Sequence, residues 1–246
     1  MPDGGLIELR VLGGTALAGG VEQRMHELLR RPKKLALLTY LLVARPRGFH
    51  RREGLLELFW PEQTAERARH CLRQALHELR NDLGPIIDTR GTDEIAVSRD
   101  RVWCDAVVFD DAISESDLAR AVTLCRGELL DGIIIQGASP LLLDWLKRER
   151  ARYREDAARA ACGLAERAAA EGNTNSAVRW GRLAATLAPL DEIVLWRLLQ
   201  LYRDLGYHAG AEQLYRLFVQ RLQTELAIEP SARTRSLMDE IRGPNP

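Results

Sequence analysis

The sequence predicts a mainly α-helical chain, with an α+β head over residues 1–102 and an all-α remainder over 103–246. Three observations lead there. A basic amphipathic segment at 64–84 runs straight into two short apolar stretches split by a polar turn. Past Trp103-Cys104-Asp105 the pattern changes and nearly everything reads as helix. Within that second part, a set of small and apolar residues recurs at a fixed spacing.

Composition sets the bounds. The 246 residues suit one large domain or two smaller ones, and 46% apolar residues suffice for real cores. Formal charge is zero, with 35 basic and 35 acidic side chains, so whole-chain charge says nothing about partners. The distribution does. From Arg24 to Arg80 there are 13 Lys and Arg against six Glu, a net +7 in a neutral chain, which is a candidate electrostatic footprint for nucleic acid. Cys71, Cys104, Cys125 and Cys162 show neither metal-ligand nor redox spacing and read as small apolar residues of a reducing cytosol. The N-terminus lacks a basic region followed by an apolar run, so no signal peptide is expected. No apolar run is long enough to span a bilayer.

Leu6 to Val11 alternates weakly, and Gly13-Gly14 and Gly19-Gly20 bracket 15–18, so a strand pair opens the chain. Pro32 starts a helix where its missing N–H costs nothing, and Leu35, Leu38, Leu41 and Leu42 give it an apolar stripe. Arg51 to Trp60 reads as a short helix with Leu55, Leu56, Phe59 and Trp60 facing a core, ended by Pro61. The third helix follows. Ala65, Ala68, Leu72, Ala75, Leu76, Leu79 and Leu83 fall on one side, with Cys71 at the margin. Arg69, His70, Arg73, His77, Arg80 and Asn81 fall on the other, with Glu66 among them. Thr64 is its expected N-cap and Gly84-Pro85 its end. Ile86 to Asp88 and Glu94 to Val97 then form a hairpin about the turn Arg90 to Asp93. Helix, helix, basic helix, hairpin is the order of a winged helix-turn-helix.

Helices are expected over 116–125, 140–170, 175–188, 192–205, 209–226 and 232–241, with 110–116 a loop or helix start. Leu164, Gly172, Ala177 and Gly181 recur as Leu198, Gly206, Ala211 and Tyr215, an offset of 34 residues. That is the period of tetratricopeptide helix pairs, which stack into a surface for a partner. Pro189 fits the pattern. Its counterpart Gln223 departs from it, and Thr174 stands where an aromatic is usual.

LLELFWPEQTAERAR at 55–69 and LRQALHELRNDLG at 72–84 resemble the OmpR-type winged-helix domain of bacterial regulators of the antibiotic regulatory protein (SARP) class. RGELLDG at 126–132, WLKRERARYRE at 145–155 and the stretch 214–241 resemble the bacterial transcriptional activator domain of the same regulators, a tetratricopeptide-like module. The resemblance implies a DNA-binding domain over 1–102 and an activator domain over 103–246. It implies a transcription factor, usually an activator, that binds promoter direct repeats as a homodimer and contacts RNA polymerase. It implies a cytoplasmic, nucleoid-associated protein without a cofactor. No phosphate-binding glycine loop occurs, so the nucleotide-binding domain of the larger relatives is not expected, nor is an attached receiver domain.

The expected contacts to double-stranded DNA follow from reach and charge. Arg69, His70, Arg73 and His77, toward the helix N-terminus, are the groove-facing set, with Gln74 at its edge. Arg80, a turn further on, suits a phosphate. Lys33, Lys34, Arg51 and Arg52 at helix starts, and Arg90 on the hairpin, are expected to anchor the flanking backbone. Arg67 points away and suits an acid within the protein. His70 and His77 lack a third ligand, so no metal is expected. Trp60 and Trp103 read as core aromatics, and Asp110 and Asp111 as solvated acids. No Ser-His-Asp order, glycine cradle or metal cluster stands out, and the chain is read as non-enzymatic. The rival is an adaptor that binds protein through both parts and never touches DNA.

Overall fold

The fold is that of a computed structural model, which describes residues 5–243. The chain divides into two compact units. The first holds 1–111 with 124–153, and the second 112–123 with 154–246.

The first unit opens on a small sheet. β1 (Ile7–Arg10) pairs antiparallel with β2 (Ala16–Ala18). On its other side β1 runs parallel to β6 (Val102–Cys104), a pairing that no local pattern announces. Between them come α1 (Glu22–Leu29), α2 (Pro32–Val43), the two-residue β3 (His50–Arg51), α3 (Arg52–Phe59) and α4 (Ala65–Leu83). The hairpin of β4 (Ile87–Arg90) and β5 (Glu94–Val97) follows, with β3 added to the β5 edge. This is the winged helix-turn-helix that the order of elements predicts.

Some elements differ from expectation. α1 is an additional helix. Its N-cap Val21 offers no side-chain cap, and only Met25 and Leu28 are buried, so its apolar signal is thin. The stretch before residue 116 is not a loop, because α5 (Asp105–Ser114) fills it. α6 (Leu118–Leu124) starts later than expected: Ser116 sits at φ 61°, and the Asp117 carboxylate accepts the Arg120 N–H at 3.1 Å. Trp60 and Trp103 are half-buried, and it is Phe59 that is fully enclosed.

Asp105 shows why α5 begins where it does. Its buried carboxylate accepts the N–H groups of Val11 (2.8 Å), Leu12 (3.1 Å) and Ala106 (2.8 Å), tying the end of β1 to the helix start. Burial raises its pKa, and those three hydrogen bonds oppose the rise. Beside it, residues 126–130 cross the same strand end. Leu130 N–H donates to Val11 at 2.8 Å and Gly13 N–H to Glu128 at 2.9 Å. Two glycines make the crossing possible: a Cβ on Gly127 would lie 2.8 Å from the Cα of Gly13. Arg150, on α7 (Pro140–Ala170), donates to the Leu129 and Leu130 carbonyls, both at 2.8 Å. The RGELLDG string thus crosses the end of the N-terminal sheet, and Arg150 of WLKRERARYRE holds it there.

The second unit is helical. α8 (Thr174–Leu187), α9 (Glu192–Asp204), α10 (His208–Leu226) and α11 (Ala232–Arg242) follow the C-terminal part of α7. Small residues of α7, among them Ala158, Ala161 and Ala165, meet Leu195, Leu198, Leu199 and Phe218 in one core. The 34-residue repeat holds at the level of hydrogen bonds. Gly172 (φ 74°) and Gly206 (φ 67°) each donate to the carbonyl three residues back at 2.9 Å. The next residues, Asn173 and Tyr207, each donate five residues back at 2.8 Å. Ala177 and Ala211, at equivalent positions, are wholly buried. Where the repeat departs, the helix lengths change: Pro189 follows the end of α8, while Gln223 lets α10 run on to Leu226.

Candidate nucleic-acid interface

α4 presents the predicted basic face. Ala68, Leu72, Ala75, Leu76, Leu79 and Leu83 are buried beneath it, whereas Ala65 in the first turn is exposed. Thr64 Oγ1 accepts the Arg67 N–H at 3.4 Å, and Gly84, at φ 82°, ends the helix. Arg24 of α1 braces the C-terminal end by donating to the Asn81 carbonyl at 2.6 Å.

On the outer face Arg69, His70, Arg73, His77 and Arg80 are exposed. The three arginines and His70 have no ion-pair partner among the described residues. His77 Nε2 lies 3.0 Å from Asn81 Nδ2. Arg67 is also exposed, and it makes no ion pair among the described residues. Arg52, at the start of α3, adds to this charge. Burial lowers its pKa, Arg80 and Arg73 lower it further, and Asp93 opposes them. Arg52 Nε is buried without a hydrogen-bond partner. Arg52 thus joins Arg73 and Arg80 in one cationic cluster, a concentration of charge that an anion such as a phosphate neutralises.

The wing supplies a second cationic edge. The registers place Arg51 opposite Glu94 and Glu94 opposite Arg90, so one acid lies between two arginines across the sheet. Arg90 approaches Glu94 at 3.6 Å and covers the Phe49 ring at 4.0 Å. Arg51 is exposed. Its place on β3 is invisible in sequence, because two residues carry no periodicity.

Other expected contacts are occupied within the protein. Lys34 pairs with Glu78, which also takes Arg31 at 2.6 Å and the Gln74 Nε2 at 3.0 Å. Burial lowers the Lys34 pKa, Arg31 lowers it further, and Asp82 opposes them. Gln74 is thus turned toward Glu78. Lys33 donates to the Gly137 carbonyl at 3.2 Å and lies 6.0 Å above the Trp60 ring. Both lysines are half-buried, and burial lowers the Lys33 pKa too. Helix starts draw basic residues for internal reasons as well as for phosphates.

Asp110 corrects the reading of a solvated acid. It is 6% exposed. It receives Arg47, Arg152 at 2.7 Å and the Tyr153 hydroxyl at 3.3 Å, with Arg45 at 3.4 Å. Asp111, half-exposed beside it, takes Arg47 at 3.1 Å and Arg99 at 3.0 Å.

No helix among the described residues is long and apolar enough to cross a membrane. No curated protein matched the sequence. Among solved structures, the chain is similar to Mycobacterium tuberculosis EmbR, solved in complex with a low-affinity phosphopeptide, at a TM-score of 0.66 and 19% identity. That match covers 98% of this chain and 66% of the EmbR chain, so this chain spans slightly less than two thirds of its neighbour's length. The shared feature is the fold. The family described as bacterial transcriptional activator domain matches residues 106–242, more than half of the sequence. The chain therefore belongs to the bacterial transcriptional activator domain family.

Proposed function

We propose that the protein is a sequence-specific DNA-binding regulator, acting as an activator, that seats α4 in the major groove. One observation carries the reading. Arg69, His70, Arg73 and Arg80 stand exposed on one helix face without a carboxylate partner among the described residues, while Arg31 and Lys34 nearby are held by Glu78. Arg69, His70, Arg73 and His77 are the base-reading set, and arginine donates bidentately to guanine. Arg80 and Arg52 hold one phosphate, and Arg51 and Arg90 on the wing hold the backbone beside the groove. Lys33, Lys34 and Gln74 leave the contact set, since Gly137 and Glu78 engage them.

Every proposed DNA-facing element precedes residue 102, so the functional division lies near 102/103 even though compact packing draws 124–153 into the first unit. The helical remainder is the partner-facing part. Two copies sit side by side on direct repeats, and the turn 61–64 faces RNA polymerase. Such a protein works in the cytoplasm, on the nucleoid.

The experiment is selection of bound duplexes from a random pool, followed by fluorescence anisotropy on the selected and a scrambled duplex across a salt series. The expected result is a salt-dependent affinity for both and a clear preference for the selected one. A chain that binds neither duplex at low salt is an adaptor without a DNA function, and the proposal fails.

A further inference from the structure

The second unit holds a cavity of about 300 Å³ between α8, α9 and α10. Its floor is apolar: Val194, Leu195 and Phe218 are buried there, together with Tyr202. Its mouth is cationic. Arg182 and Arg221 line it, and no Asp or Glu among the described residues does. Several other arginines of this unit hold carboxylates: Arg197 on Glu166 at 2.8 Å, Arg242 on Glu212 at 3.0 Å and Arg235 on Glu229 at 3.3 Å. Arg182 instead donates to the neutral Tyr207 hydroxyl at 3.2 Å, and Arg221 has no acid partner among the described residues. The wall is also shaped. A Cβ on Gly210 would come within 2.0 Å of the Tyr207 ring, so glycine there lets the tyrosine lie flat against α10 and stand beside Arg182.

We propose that this cavity binds a small monocarboxylic acid with an apolar or aromatic body. The apolar part fills the floor, and the carboxylate meets the two guanidinium groups. The volume sits at the lower end of small-ligand pockets and encloses a body of roughly ten to fifteen non-hydrogen atoms. Two unneutralised cations over an apolar floor select an anion with a hydrophobic tail rather than a neutral or basic compound, because a charge-assisted bidentate bond needs an anionic group such as a carboxylate.

The test uses the full chain with 13C-labelled leucine methyls, titrated with 4-phenylbutyrate and octanoate and with their primary amides. The acids are expected to shift the Leu195, Leu214 and Leu217 methyls, and the amides to bind at least about tenfold more weakly. Arg182→Gln with Arg221→Gln removes the preference for acid over amide at unchanged melting temperature. Leu217→Trp, which fills the mouth, abolishes both without touching the arginines. Acids that leave these methyls unmoved at millimolar concentration overturn the proposal. So do amides that bind equally well, or saturation only by a peptide with a free C-terminus.

Discussion

Two groups of arginines in the first unit have opposite fates. Around Asp110, Arg47 and Arg152 close on a carboxylate that is 6% exposed, with Arg45 alongside and Arg99 on its neighbour Asp111. Along α4, Arg69, Arg73 and Arg80 stand in solvent with no ion-pair partner among the described residues. The residue type is the same and the distinction is the partner. A guanidinium with a buried carboxylate is part of the fold. A guanidinium that the fold leaves uncompensated is free to meet charge brought from outside.

That contrast can be broken from either side. The largest effect is expected at Asp110. Asp110→Ala leaves several cations facing one another in a partly buried site and should lower unfolding free energy by about 3–5 kcal/mol, read by urea denaturation. A loss within about 0.5 kcal/mol would show that the cluster is ordinary surface. Next comes Arg73→Ala, expected to weaken binding to the selected duplex by about 1–3 kcal/mol and to the scrambled one much less, with stability within about 0.5 kcal/mol of the parent. Equal losses on both duplexes would remove Arg73 from base readout.

A smaller effect is expected at Arg80. Arg80→Ala should weaken both duplexes alike and reduce the log–log salt slope by about 0.9, the signature of one phosphate. An unchanged slope would place Arg80 off the backbone. The smallest belongs to Lys34. Because Glu78 holds it, Lys34→Ala should leave duplex affinity within about twofold, whereas a full drop in salt slope would return Lys34 to the contact set.

The sequence was a good guide where signals are local. α7 runs over Pro140–Ala170, as its periodicity predicts, and α4 is capped by Thr64 and ended by Gly84 as expected. The repeat glycines Gly172 and Gly206 both adopt positive φ in matching turns. Weak or nonlocal signals misled. α1 buries only Met25 and Leu28, so little apolar period marks it. β3 exists only because its residues meet Glu94 and Ile95 of β5. The candidate site divided along the same line. The outer face of α4 was readable because a helix repeats every three or four positions. The fate of Lys34 was not, since Glu78 lies on another helix.

By itself, then, the chain determined most of its longer helices, the split faces of α4 and the 34-residue echo of its C-terminal part. Caps, periodicity and glycine turns act over a few residues, and their signals are written in adjacent letters. Only tertiary structure decided which charges are neutralised. Asp110 finds Arg47 across 63 positions and Arg152 across 42, and Asp105 reaches Val11 across 94. A carboxylate's partner is chosen by proximity after folding, and no spacing along the chain records it.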